Sequence, residues 1–385
     1  MVNVEGRDHH RARTTESSYF YFSDELIEEI LIRVPAKSLV GFKCVSKRWR
    51  FLISNTKFLN KFRTRHKSLP PLVTGFFFNY GYGKVKFHGY TNERKQADVT
   101  IDANLSSILG HVYVFAAHNG LLLCKQMAQV NNFWYEKSNY LVCNLFTKQW
   151  MALPELRFRS HNYTARLFCY DLVDSNRLEL GFKVVYIGYH NRDVGQMFIY
   201  SSETREWEES RIAHGLGYVY HRYVTLLDES IYMYRHNYTK LRIYNLRKEI
   251  FRFLELPTYD DFQNWDNALL GESVGSVCYA RTSRTRIVVW VLVGGEKWTL
   301  KHNVNCQRLV RYEFPKKSAW DKTRLFPLAF DMLNQERILL NVNGNTVLYD
   351  MNLKKAELIN NLDSEPLDSV IPYSLPAWVP CLKMT

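Results

Sequence analysis

Residues 140–154 read YLVCNLFTKQWMALP. An apolar run meets a polar break at Thr147-Lys148 and restarts at Trp150, the pattern of two strands joined by a tight turn. The theme returns in QMFIYSSETREWEES (196–210), KLRIYNLRKEIFRFLELP (240–257) and TVLYDMNLKKAELI (346–359). Each time a polar turn (Glu203-Thr204-Arg205, Arg247-Lys248, Leu353-Lys354-Lys355) separates an apolar strand from a bulky residue. That residue, Trp150, Trp207, Phe251 or Leu358, is expected to serve as a buried anchor for the returning strand.

Working outward, a further short strand precedes each hairpin: NGLLLC (119–124), LELGFKVVYIGY (178–189), SIYMY (230–234) and RILLNV (337–342). The hairpins start 56, 44 and 106 residues apart, and the last interval has room for two units, one around Arg286 to Trp298. Four strands every ~40 to 55 residues is the arithmetic of propeller blades. The expected fold is therefore α+β overall: a small all-α N-terminal part of three short helices, then a large all-β domain best read as a β-propeller. A β-sandwich or two smaller β-domains would use the same strands.

The helices are read from residues 22–54. Ser23 can cap a helix that opens with Asp24 and Glu25, where carboxylates suit the free N–H groups. Leu26, Ile27, Ile30, Leu31 and Val34 then follow the rhythm of one buried helical face, and Pro35 ends it. A second short helix is expected over Ala36 to Cys44, with Leu39 and Phe42 inward, and a third over Ser46 to Ile53, with Trp49, Leu52 and Ile53 inward. Thr56 to His66 can add a basic fourth. Helices this short need a partner surface to be stable, on this chain or another.

Composition narrows the class. Hydrophobic residues make up 46% of the 385 and aromatics 15%, which provides for a substantial core. The seven cysteines are scattered, without metal-ligand spacing, and read as reduced thiols. There is no apolar leader segment at the N-terminus and no run approaching ~18 apolar residues, so a soluble protein of the cytoplasm or nucleus is expected. The net charge is +13, and residues 1–70 carry 14 Lys+Arg against 7 Asp+Glu. That bias suits an acidic partner or a solvated basic surface.

The run FSDELIEEILIRVPAKSLVGFKCVSKRWRFLIS (22–54) resembles the F-box motif, in its acidic-Leu opening, its EIL-x-R-V-P-x-KSL centre and its V-S-K-x-W-x-x-LIS close. The family usually opens on Leu-Pro, where this chain has Phe22-Ser23. The resemblance implies docking onto a Skp-type adaptor, and through it a cullin, by Leu26, Ile30, Leu31, Val34, Pro35, Leu39, Phe42, Val45 and Trp49. Residues from about 70 to 380, above all NGLLLC followed by YLVCNLFTKQWMALP, resemble the F-box associated and kelch-like regions of plant F-box proteins, though the kelch Gly-Gly signature is missing. The implied division is a disordered basic N-terminus (1–19), an F-box (20–66) and a β-domain (67–380).

No signature of nucleophilic, metal-assisted or phosphate-binding catalysis occurs, so no catalytic residue, cofactor or metal is assigned. The resemblance implies a non-catalytic substrate receptor of a Skp-cullin-F-box ubiquitin ligase, which holds an unidentified target protein near the conjugating machinery. Candidate target contacts are Arg157, Arg159 and His161, then Tyr218, Tyr220 and Arg222, then Trp265 with Tyr259 and Phe262. Aromatic and Arg side chains are favoured at interfaces. Two alternatives stand beside this: an F-box protein acting outside a ligase, and a helix-turn-helix DNA reader using Lys47, Arg48 and Arg50. The second is disfavoured because Trp49, Phe51, Leu52 and Ile53 leave the third helix few polar positions for base edges.

Overall fold

The computed structural model describes residues 22–67, 69, 71–90, 109–130, 133–145, 147–158, 160, 162–174, 177–189, 195–210, 223–234, 239–258, 267–315, 324–360 and 367–377. The N-terminal stretch 1–19, expected to be disordered, lies outside them. Two compact units divide between Arg65 and His66.

The first unit is helical: α1 (Asp24–Leu31), α2 (Ala36–Phe42), α3 (Lys47–Ser54) and α4 (Thr56–Lys67), of which all but the last two residues belong to it. Ser23 caps α1 as the sequence anticipates, and Ser46, expected inside the third helix, caps α3 instead. Ser23 Oγ accepts from the Leu26 N–H at 3.3 Å, and Ser46 Oγ accepts from the Trp49 N–H at 3.1 Å. Both caps satisfy donors that the first helical turn leaves free. Helix α3 contacts both α1 and α2, and the Phe42 and Trp49 rings meet edge-on at 5.4 Å.

One expectation fails here. Leu26, Ile27, Ile30, Leu31 and Val34 do not form a single buried face. Ile27 and Leu31 are buried, whereas Leu26 is 54% and Ile30 53% exposed. The two rows lie side by side on α1, one position and about 100° apart. The elements packed on this eight-residue helix cover only one of them.

The second unit is built of antiparallel sheets that share one plan. Blade 2 comprises β3 (Val112–His118), β4 (Leu121–Val130), β5 (Phe133–Asn144) and β6 (Gln149–Ala152). Blade 3 comprises β7 (Asn162–Asp174), β8 (Arg177–Tyr189), β9 (Gly195–Ser201) and β10 (Trp207–Glu209). Blade 4 comprises β11 (Val224–Leu227), β12 (Ser230–Tyr234), β13 (Lys240–Asn245) and β14 (Ile250–Glu255). Blade 5 comprises β15 (Ala268–Ser273), β16 (Ser276–Thr282), β17 (Arg286–Val293) and β18 (Lys297–Asn305). Blade 6 comprises β19 (Leu325–Phe330), β20 (Arg337–Val342), β21 (Asn345–Asp350) and β22 (Lys355–Asn360). Blade 1 is composite. Its strands β1 (Val73–Tyr80) and β2 (Lys84–Tyr90) come early, while its inner strand β23 (Leu367–Leu375) comes last, with Phe77 opposite Ile371.

The inner strands touch their neighbours in the cyclic order β23, β3, β7, β11, β15, β19 and back to β23. The sheets therefore close into a six-bladed β-propeller. Its apolar clusters lie between blades rather than within one sheet. Val142 and Tyr140 of blade 2 share a core with Val184 and Tyr186 of blade 3, and Phe76 and Phe78 of blade 1 share one with Leu339 and Leu348 of blade 6. Middle strands covered on both faces read as continuous apolar runs, as in IVVWVL of β17.

The recurrent hairpins are the third and fourth strands of blades 2, 3, 4 and 6, and the unit expected around Arg286 to Trp298 is that of blade 5. Their turns share a mechanism. Asn245 Oδ1 accepts from the N–H groups of Arg247 and Lys248 at 3.1 and 2.7 Å, and Asp350 Oδ1 from those of Asn352 and Leu353 at 3.1 and 2.8 Å. Asn144 and Ser201 play the same part with Thr147 and Glu203. A residue of positive φ then ends each turn: Lys148, Arg205, Glu249 and Lys354. The anchors after the turns are less buried than expected. Trp150 is 44% and Leu358 43% exposed, because the outermost strand of a blade has a neighbour on one side only. Trp207 and Phe251 are half-buried, Trp207 through a hydrogen bond from its Nε1 to Pro154 O at 2.9 Å and Phe251 against Tyr244 at 4.7 Å.

Candidate functional site

In the helical unit the surface of interest is the outer row of α1. Leu26 and Ile30 stand four residues apart, on adjacent turns of the same face, and Pro35 and Val45 are likewise exposed. An exposed row of large apolar side chains marks an interaction surface more strongly than scattered single residues do. The α1 start is tied to α3: Arg48 Nε donates to Asp24 Oδ1 at 2.7 Å, and its Nη2 donates to Phe22 O at 2.7 Å. The residue that replaces the usual Leu of the motif thus supplies a backbone acceptor, and Ser23 supplies the cap. Arg48 is committed to this contact.

In the propeller the inner strands enclose a channel of about 350 Å³. They run in the same direction, because like ends meet. Tyr113 OH and Ser369 Oγ lie 2.8 Å apart near the starts of β3 and β23, and Ser273 Oγ donates to Asp331 O at the ends of β15 and β19. All connections from one blade to the next therefore emerge on a single face, the connection face.

The channel wall carries few polar groups, and most are engaged. The Arg166 guanidinium donates to Val224 O at 2.9 and 3.0 Å, to Thr164 Oγ1 at 3.1 Å and to Ala165 O at 2.9 Å, stapling β7 to β11. Burial lowers it to about 10. His118 Nδ1 accepts from the Cys169 N–H at 3.1 Å, and burial pushes the imidazole down to about 4, so it is neutral there. Burial, reinforced by Asp228, raises the Glu272 carboxyl to about 7. Among the described residues nothing in this wall pairs a nucleophile with a base. Among the described residues no group of three or more His, Cys, Asp or Glu side chains is placed to hold a metal ion.

Toward the connection face, blades 2 and 3 meet in an aromatic and ionic cluster. Lys125 Nζ lies 4.9 Å from the ring centres of both Tyr140 and Tyr163 and 3.0 Å from Glu136 Oε2, and Tyr163 OH donates to the same carboxylate. Phe115, Tyr163 and Tyr186 stack in succession at 5.6 and 5.2 Å. Cation–π contacts of this kind gain strength when desolvated. No local pattern announces the cluster, since its members come from β3, β4, β5, β7 and β8.

A family model of the F-box domain matches residues 22–61. A second, described as F-box protein At3g26010-like, beta-propeller, matches residues 84–373. The chain belongs to this F-box and β-propeller family. F-box protein At5g07610 of Arabidopsis thaliana is 32% identical over 138 residues, which is 34% of this chain and 31% of that protein. Putative F-box protein At3g10240 of the same plant is 24% identical over 296 residues, 72% of this chain and 70% of that one. The chain thus matches about a third of the first relative's length and over two thirds of the second's. A chain from a nidogen/laminin complex superposes with a TM-score of 0.43 at 10% identity, covering 78% of this chain and 98% of that one.

Set on this F-box and propeller frame, the expected adaptor residues divide. Leu26, Ile30, Pro35 and Val45 are exposed; Val34, Phe42 and Trp49 are half-buried; Leu31 and Leu39 are buried. The expected target contacts fall in blade-to-blade connections, those after β6, β10 and β14. Arg157 is exposed. Arg159, His161, Tyr218, Tyr220, Arg222, Tyr259, Phe262 and Trp265 lie outside the described residues.

Proposed function

We propose that the chain is the non-catalytic target-binding subunit of a Skp-cullin-F-box ubiquitin ligase, acting in the cytoplasm or nucleus. The observation that carries the reading is the exposed Leu26–Ile30 row, alongside a buried Ile27–Leu31 row, in a segment matched by the F-box family. An apolar row left in water stabilises a complex by roughly 25 cal/mol for each Å² that a partner covers. The adaptor docks on Leu26, Ile30, Pro35 and Val45, with Val34, Phe42 and Trp49 beneath. Leu31 and Leu39 hold the helices in place. The adaptor links the chain to a cullin, and the propeller presents a target protein on its connection face. The kelch-like character of the blades belongs to the same proposal, supported by their four-stranded plan.

The engagement of Arg48 with Asp24 weighs against a DNA reader built on α3. The test is co-purification of the full chain with a Skp-type adaptor and a cullin. Leu26→Asp with Ile30→Asp is expected to abolish recovery of the adaptor while the propeller remains folded. Undiminished recovery would sink the assigned surface. Recovery of adaptor without cullin would place the protein outside a ligase.

A further inference from the structure

The connection face at blades 5 and 6 concentrates positive charge on a rigid support. The Cys306 N–H donates to Thr285 O at 2.6 Å, fixing the connection after β18 against the β16–β17 turn. The chain then makes a short π-helical turn, Leu309–Glu313, with Leu309 and Val310 buried. Asn343, in the β20–β21 turn, donates from its amide to Val310 O at 3.2 Å and Phe314 O at 2.8 Å, and its Oδ1 accepts from the Arg324 N–H at 2.9 Å. Thr282 Oγ1 donates to Leu325 O at 2.7 Å. Four separate segments are knitted together by these bonds.

Arg284, Arg308, Arg311 and Arg324 stand exposed on this platform, and Tyr312 is 77% exposed among them. Across 282–286, 306–315, 324–325 and 341–345 the sequence holds one carboxylate, Glu313, which pairs with Arg308 at 3.3 Å. The guanidinia of Arg284, Arg311 and Arg324 meet no carboxylate among the described residues. Clustered like charges repel unless an anion is shared between them. Guanidinium presents a planar fork of donors that matches carboxylate or phosphate oxygens in pairs, which an ammonium does not. Tyr312 adds a flat apolar contact with a polar tip.

We propose that this platform docks an acidic segment of the target protein, with Arg284, Arg311 and Arg324 reading its carboxylate or phosphate groups and Tyr312 packing along it. The proposal rests on the receptor reading and names the chemistry of its target. Because the supporting hydrogen bonds order the platform before binding, little ordering cost remains for the protein side.

The experiment titrates the full chain, co-expressed with a Skp-type adaptor, against fluorescein-labelled short peptides: a Glu-rich one, the same with phosphoserine replacing two Glu, and a Gln-rich neutral one. The acidic peptides are expected to bind, to weaken as salt is raised, and to lose about tenfold in affinity in Arg311→Glu with Arg324→Glu. Tm and adaptor recovery are expected to stay unchanged in that variant. The tighter of the two acidic peptides identifies the anion. Binding that survives the double reversal, equal binding of the neutral peptide, or tighter binding of an RNA oligonucleotide overturns the assignment. Lys148→Glu with Lys354→Glu, on the opposite face, is expected to leave binding intact, and an equal loss there would also overturn it. Failure to recover adaptor defeats the receptor reading alone, because the platform lies wholly within the propeller.

Discussion

The side-chain amide of Asn79 pairs with both backbone groups of Val114, donating to its carbonyl at 2.8 Å and accepting from its N–H at 2.9 Å. The same amide donates to Ser369 Oγ at 2.8 Å. One fully buried residue of β1 thus joins β3 and β23, where the ring closes. Asn79→Leu leaves the Val114 N–H and C=O without partners in a dry site, each costing about 1 to 3 kcal/mol. A loss of about 3 kcal/mol is expected, read as a lower urea midpoint with unchanged slope.

Gly75 of β1 faces Gly89 of β2 across the same blade. A Cβ at Gly75 would come 2.3 Å from His88 O and 2.8 Å from Gly89 Cα, both backbone atoms. Gly75→Ala is therefore expected to force β1 and β2 apart and to destabilise the propeller by about 1 to 3 kcal/mol. Gly81→Ala, with open space around it, is the control and is expected to leave Tm unchanged.

His118 makes stability depend on pH. Its ordinary value is 6.5 and burial lowers it to about 4 in the folded protein. The unfolded chain therefore takes up the proton first, and stability falls as pH drops from about 6.5 to about 4, by roughly 3 kcal/mol in all. Glu272, raised to about 7, acts with the opposite sign and loses stability as pH rises from about 4.5. The measurement is the difference between the chain and His118→Gln across this range: the variant's acid limb is expected to be flatter. Parallel curves would refute the neutral imidazole.

The two rows of α1 are expected to respond differently to truncation. Leu31, at 0% exposure, lies on the buried row, so Leu31→Ala is expected to destabilise the helical unit by about 2 to 5 kcal/mol. Leu26→Ala is expected to change stability by no more than about 0.5 kcal/mol. Thermal or urea unfolding of both variants without adaptor, followed by the helical signal, checks the contrast.

The propeller was legible in the sequence where its chemistry is local. The Asn245-to-Glu249 and Asp350-to-Lys354 turns carry their acceptor and their positive-φ residue within five positions, so the hairpins announce themselves. Blade 1 carries no such signal, because β1 and β23 meet only through pairing across almost the whole unit. The α1 stripe was legible as helical, yet its period could not say which of two adjoining apolar rows faces water. Trp150 shows a similar limit: a bulky residue after a turn marks a strand, but edge position, fixed by blade topology, decides its burial. The arginine platform has no local pattern in the sequence, because Arg284, Arg308, Arg311 and Arg324 come together only through Asn343, Thr285 and Thr282.

The composite first blade has a kinetic consequence. Asn79 and Ser369 are 290 residues apart in the chain, and the inner slot of blade 1 stays vacant until β23 has been synthesised. Blades 2 to 6 can form hairpin by hairpin as they emerge, but β1 waits with an unpaired apolar edge, including Phe77 and Phe78. Such edges invite mispairing during synthesis. The last strand, rather than any one blade, is the latch that turns a row of marginal sheets into a cooperative ring.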